Sequence, residues 1–478
     1  VNLSWQSNAW YRIDQGTAEG ACELPAGGHY QLVIGCLADA AQEAHVQVTL
    51  LDPATAVQRT PRQRLDGRSI ERSQAWITKN SQGSTETASW NGARLRQPVV
   101  RPAGSTTAEP CVREFSLHVT DGPLDDPKQY AKVTARVWRT GERVRIFVDE
   151  QVSASELSCQ RIDELLEQLE FEIVPRVEVQ FGPLHDVDGD GWLTVLLTPW
   201  LSRLQGGQNA LGGMVRSSDF QQDGAKPLSN RCDMLYLNTA LPDGAALKDL
   251  LSHEVAHAAC LSQRVTGGAR ATRDEEDWLN EALAHWAEPG WSNIGHRVAT
   301  FLQDTSRCPL VVPDYYRAGL WRDPGCRGAT FLFLKWCAQQ HGEDALIRRL
   351  ACSRNRGTRN LEQASGQLFA NLFRNWSISL AELSREELPD SVACCRLPSS
   401  REPNRVLSGG RNGQTLTLRG TTFTVVEFDV DHTRSLVLQL HGDEQARWQF
   451  SIRQMTARTT DSHAANPNHA VATVAISP

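Results

Sequence analysis

The apolar residues of this chain change their spacing along its length, and those changes limit the folds open to it. Over residues 1–52 they recur with period two, as in "HYQLVIGCLAD" and "HVQVTLLD", broken by Gly and Pro. Strand-like runs appear again in "EFSLHVT", "KVTARVWRT", "VRIFVDE", "WLTVLLTPW" and "CDMLYLNT". Between them, "ASELSCQRIDELLEQLEFEIVPRVEVQF" has helical spacing through Leu157, Ile162, Leu165, Leu166 and Leu169. From residue 244 the pattern turns almost wholly helical, over 244–262, 274–288, 292–304, 327–341, 343–352 and 359–383. Alternation returns in "QTLTLRG", "FTVVEFDV", "SLVLQLHG" and "WQFSIRQM". Strands first and helices later predicts an α+β domain over residues 111–390. Small all-β domains are expected on either side, at 1–52 and, as a β-sandwich-like unit, at 396–478. Residues 53–110 are rich in Ser, Thr, Gly, Pro and Arg and have no period, so they read as a linker or long loop.

At 478 residues the chain is too long for one ordinary domain. Its 40% hydrophobic and 22% charged content fits a soluble globular protein. The net charge of −7, with no basic run, gives no footprint for nucleic acid. No apolar run reaches the eighteen or so residues of a membrane helix. The sequence opens on Val1 with no charged-then-apolar leader, which leaves open whether a signal segment was removed. Twelve cysteines without CxxC spacing predict disulfides in a secreted or extracytoplasmic protein. Cys308 and Cys326 are a candidate pair, and the adjacent Cys394 and Cys395 call for separate partners.

The chemistry is concentrated in "DLLSHEVAHAAC", residues 249–260. Pro242–Asp243 signals a helix start, and no breaker follows to Cys260. His253 and His257, four apart, therefore project from one helical face and can share one zinc ion. Glu254 sits one step round, placed to act as a general base on a zinc-bound water. The surrounding Ser, Val, Ala, Cys and Leu make an apolar setting in which unpaired ionisable groups would be costly. A catalytic zinc needs a third protein ligand. The downstream histidine pattern is absent, since Cys260 and Gln263 stand at its Gly and His positions. "DEEDWLNEALAHWAE", residues 274–288, offers Glu281 inside an apolar helical stripe of Trp278, Leu279, Ala282, Leu283 and Trp286. Glu288 and His285 are the rival ligands.

This constellation resembles the glutamate-type zincins, in which HExxH is followed by an Asn–Glu pair on the next helix. The resemblance extends to the hyicolysin family of secreted zinc metallopeptidases over about residues 112–385. It is carried in order by "VRIFVDE", "FEIVPRV", "DVDGDGWLTVLLTPW", "SNRCDMLYLNT", "LLSHEVAHAACLS", "WLNEALAHWAE" and "GATFLFLKWCAQQHG". It implies a zincin-like catalytic domain with an N-terminal sheet and a helical C-terminal lobe. It also implies His253, His257 and Glu281 as zinc ligands, Glu254 as the base, and a protein or peptide substrate. Two positions depart from the family: Arg327 stands where relatives often have tyrosine, and His285 where a small or acidic residue is usual. The donor to the developing oxyanion is sought among Tyr315, Tyr316, His285 and Arg327. A second metal expectation is calcium at Asp186, Asp188 and Asp190, which match positions 1, 3 and 5 of a calcium loop with Gly191 at the turn. Leu197 at position twelve excludes a complete EF-hand. Against the peptidase stand two other readings: a zincin-like binding or adhesion protein, and a zinc hydrolase of a non-peptide amide or ester.

Overall fold

The computed structural model describes residues 2–3, 11–14, 19–39, 42–52, 112–120, 124–153, 157–204, 211–221, 223–265, 274–291, 294–320, 323–382, 413–433 and 435–455. The linker expected at 53–110 and the residues after 455 lie outside them, as do Cys111, Cys394 and Cys395. Among the described residues the chain is mixed α+β, with three sheets and a block of helices.

The central sheet has six strands: β6 (Val112–His118), β7 (Tyr130–Thr140), β8 (Val144–Asp149), β9 (Leu193–Thr198), β10 (Gly213–Met214) and β11 (Met234–Asn238). Their spatial order is β10-β11-β9-β8-β7-β6. β8, β9 and β11 run parallel, β10 and β7 are antiparallel to them, and β6 is in turn antiparallel to β7. The parallel strands are buried on both faces, as such strands must be. Val144, Ile146, Val148, Val195, Leu197, Leu235 and Leu237 point into the helical core. Their alternates Phe147, Leu196, Met234 and Tyr236 point into a smaller core with Phe115 and Leu117.

The first helical run is broken into α1 (Cys159–Glu167), a π-helical turn (Gln168–Ile173) and α2 (Val174–Phe181). Ser158 caps it by accepting from Arg161 N at 3.2 Å. Pro175 lacks an N–H for the turn before it, and the widened turn ends just ahead of the proline. Next come α3 (Gly244–Val265), α4 (Asp277–Ala287), α5 (Ile294–Gln303), α6 (Pro324–His341), α7 (Asp344–Ala351), α8 (Gly357–Ser365) and α9 (Phe369–Glu382). The single helix expected over 359–383 is in fact two. Gly366 takes up the left-handed conformation (φ 73°) that closes α8, and the Glu362 side chain then accepts from Phe369 N to start α9.

The expected β-sandwich of residues 396–478 is corrected. Its strands β12 (Gln414–Arg419), β13 (Thr422–Val430), β14 (Leu436–Gly442) and β15 (Arg447–Met455) do not pair with one another. They interleave with β1 (Asn2–Leu3), β2 (Tyr11–Asp14), β3 (Glu19–Leu24), β4 (Gly28–Leu37) and β5 (Glu43–Leu51). The results are a five-stranded sheet, β1-β3-β14-β5-β12, and a four-stranded sheet, β13-β4-β15-β2. One apolar core serves strands from both ends of the chain. The reason is pairing: β4 is flanked by β13 and β15, so its backbone groups are satisfied only by strands some 400 residues away in sequence. This unit also touches the helices, where Gln449 donates to Ala370 O and Thr305 donates to Phe423 O.

The disulfide expectation is also corrected. Cys22, Cys36, Cys159, Cys232, Cys260, Cys308, Cys326, Cys337 and Cys352 are free thiols, and all but Cys159 and Cys352 are buried. They pack as small apolar residues. Cys308 and Cys326 lie together as thiols, and their contact with each other, with burial, pushes the Cys326 thiol upward. The step from cysteine count to an exported protein therefore has no disulfide to rest on among the described residues. Titration of the denatured chain without reductant is expected to find at least nine thiols. A markedly lower number would contradict this correction.

Candidate metal centre

α3 follows directly from the end of β11 and lies under the sheet, burying Leu247, Leu251, Val255 and Ala258. α4 runs antiparallel beside it, and polar contacts pin the pair at both ends. At one end Arg264 of α3 meets Glu275, just before α4, at 2.6 Å in full burial. At the other end Arg176 of α2 donates to Ser252 Oγ (2.5 Å) and to Ala287 O (3.0 Å). Asp249 Oδ1 accepts from Gly290 N there at 2.7 Å. The seam between these clamps holds the histidines.

In that seam the Nε2 atoms of His253 and His257 face each other at 3.2 Å. Glu281 Oε2 lies 3.5 Å from His253 Nε2. His253, His257 and Glu281 can thus present one ligand atom each to a common point. Two ligands of a tetrahedral zinc, each about 2.0–2.1 Å from it, lie about 3.4 Å apart. The other ring nitrogens are committed elsewhere. His257 Nδ1 donates to Asn280 Oδ1 (3.2 Å) and His253 Nδ1 donates to Glu288 Oε1 (2.9 Å). With both Nδ1 atoms carrying protons, two neutral rings would aim lone pairs at each other, so a positive charge must sit between them. In the metal-free chain that charge is a proton on His253. Burial opposes it, but pairing with the Glu281 carboxylate and the hydrogen bond to Glu288 prevail and hold His253 up at about 10. His257, lowered to about 4 by burial and by its charged neighbour, stays neutral. The donor set therefore fits a divalent metal that takes the proton's place.

Glu254 is buried, and its Oε2 has no hydrogen-bond partner. Burial raises it to about 7, against the pull of His253 and with help from Glu281. It packs on the edge strand β10, where a Cβ added at Gly213 would come within 2.9 Å of Glu254 Cγ. Glu281 is held well below the usual carboxylate range: burial would raise it, but Arg327 and His253 overcome that. Arg327 Nη1 approaches Glu281 Oε2 at 3.0 Å without the alignment of a hydrogen bond.

Of the other sequence candidates, His285 and Glu288 lie with His253 on the far side of its ring. His285 is buried behind His253, their ring centroids 4.8 Å apart. Both its nitrogens are taken: Nδ1 by Glu288 Oε1 (2.5 Å) and Nε2 by Arg297 (2.5 Å). Tyr316 is 58% exposed, whereas its neighbour Tyr315 is buried with Arg327 5.9 Å above its ring. Asp186, Asp188 and Asp190 do lie together, but the chain itself engages all three. Asp186 accepts from Gly189 N and Gly191 N, Asp188 pairs with Arg113 at 3.2 Å, and Asp190 pairs with Arg145 at 3.3 Å.

Sequence reasoning did not find Asn280, Glu288 and Arg297 as partners of the ring nitrogens, or Gly213 as the floor beneath Glu254. For Glu288 a signal existed: it stands seven residues, two helical turns, beyond Glu281. For Gly213 and Arg297 there was none, because both act through tertiary contact. No protein-family model matches the chain, and no curated protein matches it.

Two outcomes are expected. Metal uptake at neutral pH displaces about one proton. Affinity should therefore rise with pH as the His253 proton, held to about 10, becomes easier to remove. Calorimetry in two buffers of different ionisation enthalpy reads the proton count, and none released would contradict the geometry. Gly328 of α6 packs on α5, where an added Cβ would sit 2.2 Å from Arg297 O. Gly328→Ala should destabilise the chain by about 1–3 kcal/mol in chemical denaturation.

Proposed function

We propose that this chain is a zinc-dependent endopeptidase with the active-site plan of the glutamate-type zincins. The observation that carries the reading is the pair of imidazole Nε2 atoms 3.2 Å apart, with both Nδ1 atoms bonded away and a carboxylate beside them. His253, His257 and Glu281 would hold the metal. When bound, zinc supplies a water of lowered pKa and polarises the substrate carbonyl.

The chain's own residues do the rest. Glu254, poised at about 7 by burial, takes a proton from the attacking water and returns it to the leaving amine. Its position depends on the absence of a side chain at Gly213. Arg327 brings a positive charge to the seam through its ion pair with Glu281, and it is the donor assigned to a developing oxyanion in this reading. A peptide is favoured as substrate because β10 is the outer strand of the central sheet and lies against Glu254. An extended chain laid along that edge would bring its carbonyls past the base.

The test pairs elemental analysis with cleavage of an unstructured protein, with and without a zinc chelator. One zinc per chain and chelator-sensitive cleavage are expected. Glu254→Gln should keep the zinc and lose about 10²–10⁴-fold in kcat. Zinc without cleavage in the unaltered chain would shift the assignment to a binding protein or to a hydrolase of other amides or esters. Absence of zinc after it is supplied would end the metal reading.

A further inference from the structure

α4 brings two carboxylates to one imidazole. Glu281, within the helix, faces His253 Nε2, and Glu288, just past its end, meets His253 Nδ1. Glu288 has a specific arrangement. Its Oε1 accepts from both His253 Nδ1 (2.9 Å) and His285 Nδ1 (2.5 Å), while its Oε2 is buried with no hydrogen-bond partner. A carboxylate serving only to hold the fold would satisfy both oxygens. Here one oxygen takes two ring protons and the other takes none.

What holds Glu288 there can be traced outward. Arg297 of α5 has no acceptor lone pair, so its contact with His285 Nε2 (2.5 Å) makes that nitrogen the acceptor. The His285 proton must then be on Nδ1, aimed at Glu288. The backbone is fixed on both sides of Glu288, by Arg176 at Ala287 O and by Asp249 at Gly290 N. Gly328 lets α6 close onto the Arg297 carbonyl, which sets the far end of the chain of contacts. A carboxylate held before His253 Nδ1 keeps a proton on that nitrogen, leaves Nε2 as the metal-facing atom and raises the ring's basicity as a ligand.

We infer that Glu288, set by His285 and Arg297, is the positioning residue for His253: it fixes the ring's tautomer and orientation for metal binding and is not itself a ligand. This rests on reading the His253–His257–Glu281 seam as a zinc site. It also gives His285 a role different from a donor to substrate, because both its nitrogens are used in the relay.

The test measures zinc affinity by competition with a chromophoric chelator, together with the proton NMR signal of His253 Nδ1–H in the zinc-loaded chain. In the unaltered chain that signal should lie far downfield, as for a ring N–H bonded to a carboxylate. In Glu288→Gln, zinc should bind about 10- to 100-fold more weakly and the signal should move upfield. If that variant does not fold, Arg297→Met replaces it. Arg297→Met leaves Glu288 in place but frees His285, and a smaller change in both readings, in the same directions, is expected. An unchanged affinity or an unchanged signal in a folded variant overturns the inference. A chain that takes up no zinc at all overturns the peptidase reading and this inference with it. Zinc binding that ignores Glu288 overturns the inference alone.

Discussion

Two ring nitrogens 3.2 Å apart in a buried seam, each with its partner nitrogen already bonded, are the constraint on which the arrangement depends. Left neutral and facing, they would repel. The chain resolves this with a proton in the metal-free state and presents the donor set that a divalent ion would use in its place. Much of the surrounding structure can be understood as holding that pair. The Arg264–Glu275 clamp and the Arg176 and Asp249 contacts stop α3 and α4 from sliding, and a slide of one helical residue, 1.5 Å, would separate the nitrogens from Glu281.

The sheet contributes by the direction of its strands. β11 is parallel to β9 and buried on both faces, so the chain leaving it must cross to the helical layer, and it does so directly into α3. The edge strand β10 then lies against the side of α3 that carries Glu254. The lack of a side chain at Gly213 lets helix and strand approach closely enough to bury that carboxylate. The burial that raises Glu254 is thus a consequence of sheet order, and its proton affinity comes from packing.

What the sequence revealed divides along physical lines. Period two and period 3.6 are local, so the strands from β4 to β15, except the two-residue β10, and the helices from α3 to α7 were legible nearly to their ends. Helical spacing also put His253 and His257 on one face and Glu281 on a neighbouring helix. Strand partnership is not local. Nothing in "HYQLVIGCLAD" says that it pairs with residues 422–430 and 447–455, so the interleaving of the two chain ends was hidden. Gly366 was visible as a letter but gave no sign that it would adopt a left-handed turn inside an apolar pattern. Cysteine count carries no geometry, which is why thiols and disulfides read alike until Cys308 and Cys326 are seen packed in the core.

Charge balance links the site to its flanks. Glu254 and Glu288, both buried, and Glu281, partly buried, place three carboxyl groups around the imidazoles, opposed by the guanidinium groups of Arg297 and Arg327. The two arginines are close enough that Arg327, after burial, lowers the proton affinity of Arg297. Glu281 and Glu288 work against this crowding of like charges by raising the proton affinity of Arg297. A tyrosine at position 327 would leave Glu281 without its ion pair, and its burial would then work against ionisation. Arg327 prevents this: it keeps Glu281 an anion in the seam. A dication added to this set leaves the site with surplus positive charge, and that surplus favours an anion forming beside it, as the oxyanion of amide hydrolysis does.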